Sequence, residues 1–131
     1  MILYTTKNGQ VEWRETDKVV VKTFSGFIYG DEMQNAFNAG LEAVKKNRGS
    51  KWLSDNRGLK PYRQEDIKWI NEVWFPQMLK AGWKYWAVLE PENILGQASM
   101  KNFLDHYQQM GITLRVFHTM EDGLAWLKSV K

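Results

Sequence analysis

The side chains best able to do chemistry in this chain of 131 residues lie between Asp55 and Arg63, with two histidines elsewhere. Asp55-Asn56-Arg57 sets a carboxylate, an amide and a guanidinium side by side, and Lys60 and Arg63 follow just before Glu65-Asp66. Cationic side chains near a helix N-terminus attract anions, because the unpaired N–H groups and the fixed charges act on the same region. Arg57, Lys60 and Arg63 therefore offer a weak site for an anion or a phosphorylated ligand; the alternative is a solvated basic loop. Asp55 is a candidate acid or base, or else a residue that ties down its own turn. His106 and His118 have no metalloprotease-type spacing, so a surface or capping role is the simpler reading, with His118 kept as a possible ligand contact.

Other chemistries find no residues. With no cysteine, disulfides, thiolate metal sites and cysteine nucleophiles are excluded together. The chain has no GxSxG elbow, no GxGxxG turn and no Walker loop, and Ser99 reads as a helix cap rather than as part of an SxxK motif. The sequence thus predicts no catalytic residue, no metal and no cofactor, and a protein that is not an enzyme. A net charge of +3 is too small to argue for nucleic acid, and the aromatic residues do not interleave with the basic ones. No apolar run reaches the length of a membrane span and no leader pattern opens the chain, so a cytoplasmic protein is expected.

The aromatic content is unusual: seven Trp, six Phe and five Tyr. Trp69, Trp74 and Phe75 share one predicted helix, and Trp83, Tyr85 and Trp86 bunch in the strand after it. Ile67, Ile70, Trp74 and Met78 recur at helical spacing, which leaves Trp69, Val73 and Phe75 to a second, partly apolar face. Such a face suits a protein partner or a second copy of the chain, or else is covered by neighbouring helices.

These groups must be held by a sheet. Ile2–Thr5 and Val11–Arg14 read as a hairpin whose Asn8-Gly9 favours positive φ at the turn. Val19–Phe24 reads as a strand buried on both faces. A helix capped by Asp31 and ended by Gly49 follows, then a short strand Lys51–Asp55. Next come a helix Glu65–Ala81 that Pro76 should kink or divide, a strand Trp83–Leu89, a helix Ser99–Met110, a strand Ile112–Phe117 and a helix Met120–Val130 with Thr119 as its cap. Strands first and helix–strand alternation later imply one α/β domain over residues 1–131. Its mixed sheet has an N-terminal hairpin, later parallel strands and about four helices packed on it.

This order resembles the STAS domain, the SpoIIAA-like fold of anti-sigma-factor antagonists. The stretches Lys51–Arg57, Glu65–Pro76 and Ala87–Glu92 look like a bacterial branch of small stand-alone STAS-like proteins. The resemblance implies a non-enzymatic regulatory domain that acts by protein contact. Antagonists of this type carry an Asp-Ser-Ser-Gly loop with a phosphorylated serine. The corresponding stretch here is Ser54-Asp55-Asn56-Arg57-Gly58, with Ser54 inside the strand, so no phosphosite carries over. The alternative from another class is a small-ligand-binding module with an aromatic-lined pocket and a basic rim of Asp55, Asn56, Arg57, Lys60, Arg63 and His118.

Overall fold

The computed structural model describes residues 1–90 and 106–130. The protein is α/β, with a six-stranded mixed sheet in the order β1-β2-β3-β4-β5-β6. The strands are β1 Ile2–Thr6, β2 Gly9–Arg14, β3 Val19–Gly26, β4 Lys51–Leu59, β5 Tyr85–Leu89 and β6 Thr113–Phe117. The first three pair antiparallel and the last four parallel. Helix α1 is Gly30–Asn47. Helix α2, Gln64–Trp69, runs through a π-turn, Ile70–Trp74, into α3, Phe75–Lys80, and α4 is Met120–Ser129. The helix expected at Ser99–Met110 falls mostly outside the described residues; 106–108 are helical. No helix among the described residues is long and apolar enough to cross a membrane.

β3 explains the two-layer burial. Val19 and Val21 pack beneath α4 with Leu53, Ala87, Leu89 and Leu127. Val20 and Phe24 belong to the larger core under α1 and α3, with Phe37, Trp52, Trp74 and Trp83. Alternation along the strand sends successive side chains to opposite faces, so an apolar run this long needs cover on both.

Several boundaries differ from the sequence reading. The hairpin turn is Lys7-Asn8, and neither Asn8 nor Gly9 has positive φ. Gly9 instead opens β2 opposite Phe24, where a Cβ would come within 2.5 Å of the Phe24 ring. Asp31 lies inside the first turn of α1 rather than at its cap, which is Tyr29, and the helix closes at Arg48 in the left-handed region. β4 runs four residues past Asp55, because its register with β3 resumes beyond an irregularity at Ser25↔Gly58 and Gly26↔Leu59. Gly40 lets α1 lie against β4: a Cβ there would sit 2.3 Å from the Trp52 indole.

Pro76 interrupts the α-helical ladder as expected, and the interruption takes the form of a widened turn, Ile70–Trp74, ahead of it. The proline has no N–H to offer the carbonyl of Glu72. The ladder opens to an i→i+5 bond from Phe75 N to Ile70 O, and Pro76 occupies the first turn of α3. One extra residue in the turn rotates the face that follows. Trp74, Phe75 and Met78 are buried together, while Ile67, ahead of the widened turn, is 36% exposed.

Candidate functional site

β3 carries Lys22 between Val20 and Phe24 on the face turned toward α1 and the π-turn. The side chain is 2% exposed. Its Nζ lies 4.4 Å from the Phe24 ring centroid, 4.7 Å from that of Phe37 and 5.8 Å from that of Tyr62. It donates one hydrogen bond, to the Tyr62 hydroxyl at 3.1 Å. No carboxylate among the described residues lies within ion-pair distance of it. Burial pushes its pKa down to about 7, against the opposing pull of Glu90 and Asp55. A desolvated ammonium is disfavoured in low dielectric, and aromatic faces return only part of its lost hydration.

Lys22 lines a cavity of about 560 Å³, well above the roughly 300 Å³ at which a pocket holds a small molecule. α1 contributes Phe37. β4 contributes Trp52, Ser54 and Asn56, and β5 contributes Trp86. The segment from α2 to α3 contributes Ile67, Ile70, Asn71, Trp74 and Phe75, while Tyr62, His106 and Tyr107 complete the lining among the described residues. Ile67, Asn71 and His106 are exposed and form its solvent side. The aromatic rings hold one another in edge-on geometry, such as Phe37 on Trp74 at 4.7 Å and Trp52 on Trp74 at 5.1 Å.

The polar groups in this wall are few and fixed. Ser54 Oγ accepts from the indole N–H of both Trp52, at 2.9 Å, and Trp86, at 3.0 Å. Trp74 Nε1 donates to the Phe37 carbonyl at 2.9 Å. Asn56 Oδ1 is buried and has no hydrogen-bond partner among the described residues. Burial raises the Tyr62 phenol, with Asp66 and Glu90 adding to the effect. Burial likewise raises the Glu90 carboxyl, opposed by Lys22 and by a hydrogen bond from Asn56. The arrangement offers a flat molecule ring-on-ring contact, one amine and one unused acceptor.

The expected rim comes together only in part, at Asp55, Arg57 and His118. Asp55 is buried, and Arg57 closes on it with Nε at 3.0 Å and Nη2 at 2.9 Å, while Arg57 Nη1 reaches the His118 carbonyl at 3.3 Å. Burial raises the Asp55 pKa, but the bonds from Arg57 outweigh it and hold the carboxyl below its ordinary value. His118 Nδ1 lies 3.0 Å from the Glu90 carbonyl. Arg63 is spent on Asp66, with Nε at 2.8 Å, and stacks over Tyr29. Lys60 is exposed. Asn56 alone of this set lines the cavity, because alternation along β4 groups it with Trp52 and Ser54 and sends Asp55 to the parity of Leu53. Pro91, Glu92 and Asn93, which follow β5 in the sequence, lie outside the described residues.

Of the expected interface residues, Phe75 is 1% exposed and belongs to the core, a correction that follows from the π-turn. Trp69 is half-buried against Phe37, and Val73 is 44% exposed. No group of three or more His, Asp or Glu among the described residues is placed to hold a metal. Comparison with family models, curated proteins and solved structures found no match.

The sequence reading missed Lys22 and Tyr62. The signal for Lys22 was present: it sits inside Val19-Val20-Val21-Lys22-Thr23-Phe24, a run read as buried on both faces. Any lysine in such a run faces a core, and a buried lysine needs a reason. Tyr62 had no comparable signal, because its burial depends on how the chain between β4 and α2 folds back over Lys22.

Proposed function

We propose that this protein is a small-molecule-binding module on an STAS-like sheet, taking a flat, mostly apolar ligand with one hydrogen-bonding head group. The observation that carries the reading is Lys22 at the wall of an aromatic cavity, with one hydrogen bond and, among the described residues, no carboxylate within ion-pair distance. Enclosing a lysine this way costs stability unless something in the cavity uses it. Asn56 Oδ1 in the same wall, without a partner among the described residues, asks for a donor. A phenolic or similar head group supplies both: its oxygen accepts from Lys22 and its proton serves Asn56.

The STAS-like assignment is supported by the hairpin followed by sequential parallel strands. Regulation by protein contact, which the resemblance implies, draws less support. The exposed apolar side chains Phe27, Tyr29, Val73 and Met110 are spread along the chain, and Phe75 is in the core.

Titration with naphthol, read by tryptophan fluorescence, tests the reading, because Trp52, Trp74 and Trp86 line the cavity. Saturable quenching with a micromolar to sub-millimolar midpoint is expected. Fluorescence unchanged at millimolar naphthol would remove the reading.

A further inference from the structure

Binding does not use everything that Lys22 offers. An ammonium serving only to attract an anion works best near solvent or beside a carboxylate that fixes it. Here the nitrogen is enclosed by Phe24, Phe37 and Tyr62 and still borders a space large enough for a second molecule. Enclosure removes the water that would stabilise the charged form. It leaves a nucleophilic amine beside a hydroxyl.

We infer that Lys22 captures an aromatic aldehyde covalently, its Nζ forming an imine with the carbonyl carbon of a ligand seated between the cavity's rings. The inference rests on the binding reading above and names the ligand class.

The chemistry balances with the groups present. The Nζ lone pair forms the C–N bond while the carbonyl π pair moves to oxygen, and a proton passes from nitrogen to that oxygen to give the carbinolamine. The hydroxyl then leaves as water, taking the second amine proton by way of Tyr62, whose oxygen lies 3.1 Å from Nζ. Tyr62 gives one proton and recovers the other, and burial keeps its phenol protonated for that step. No oxidant, reductant or metal is consumed. The reaction is reversible in water, as suits a carrier or sensor. The position of Lys22 in the middle of β3 fixes the amine on a rigid strand, and its ladder neighbour across β4 is Ser54, already committed to two indoles.

The test uses hydroxynaphthaldehyde with the full chain at about pH 7.5, borohydride to fix any imine, and peptide mapping by mass. Lys22 carries the adduct on the order of a hundredfold more than exposed lysines such as Lys68 and Lys84, which have no cavity to hold the aldehyde against the amine. Excess naphthol, which has no aldehyde, suppresses the label at Lys22 and not at Lys84. Lys22→Met removes the enriched label; should that variant not fold, the map of the native chain decides alone. Label spread evenly over exposed lysines while naphthol still quenches the tryptophans would overturn the imine and leave the binding reading standing. No enrichment at Lys22 together with no naphthol binding would overturn both.

Discussion

Burying an ammonium among Phe24, Phe37 and Tyr62 makes the stability of this protein depend on pH in an unusual direction. Lys22 titrates near 7 when folded and near its ordinary 10.5 when unfolded. Between those values the unfolded chain holds a proton that the folded one lacks, so stability rises with pH across that window. Below about 7 both states are protonated and the penalty is at its full size, at most about 5 kcal/mol at roughly 1.4 kcal/mol per pH unit. Above about 10 the half-buried Tyr62, whose pKa is raised, turns the slope downward. Urea midpoints measured from pH 7 to 10 are therefore expected to climb in the native chain. In Lys22→Met they stay nearly flat over that range and start higher at pH 7, because a buried cation gives way to an apolar side chain of similar length. A native curve that is flat or falling there would show that the amine is hydrated.

At the scale of elements, β4 and the π-turn do most of the positioning. β4 supplies Trp52, Ser54 and Asn56 to the cavity from alternate positions, and α1 reaches it through the gap at Gly40. Gly40→Ala would place a methyl 2.3 Å from the Trp52 ring and 3.3 Å from the Val20 side chain. Overpacking of this kind costs roughly 2–3 kcal/mol, which predicts a Tm lower by roughly 5–10 °C and weaker naphthol quenching. An unchanged Tm would mean that the Trp52 ring has room to move. The elements were legible in the sequence to different degrees. Thr119 caps α4 through the N–H of Asp122 at 3.1 Å, as its spacing predicts. The face of α2–α3 was not legible, because helical spacing assumes 3.6 residues per turn throughout and the π-turn at Ile70–Trp74 breaks that count. The length of β4 was not legible either: Asn56-Arg57-Gly58 reads as a turn until β3 is there to pair with it.

Across the whole molecule, one sheet separates two kinds of chemistry. Asp55, Arg57 and His118 form a closed cluster linked by hydrogen bonds, while Lys22, Tyr62 and Asn56 border an open space. A ligand that enters that space binds the folded state alone, so it must raise the unfolding temperature. At a hundred times its Kd the gain is about 2.7 kcal/mol, a shift of roughly 6–12 °C for a chain of this size. Differential scanning fluorimetry with naphthol is expected to show a shift that grows with concentration. A constant Tm alongside fluorescence quenching would place the quencher outside the cavity.

What the sequence determined by itself is the class of architecture. Period-two and helical apolar spacing, caps and turn residues are local signals, and they sufficed for a hairpin, a doubly buried third strand and alternating helices and strands. The tertiary structure alone decided which polar groups meet. Arg57 and Arg63 look like free cations along the chain, yet each folds onto a carboxylate two or three residues away. Lys22 reads as one lysine in a valine run until Tyr62, forty positions later, closes over it. Spacing along a chain fixes which face a side chain takes; only packing between distant segments fixes how much water it keeps, and that sets both its charge and its reactivity.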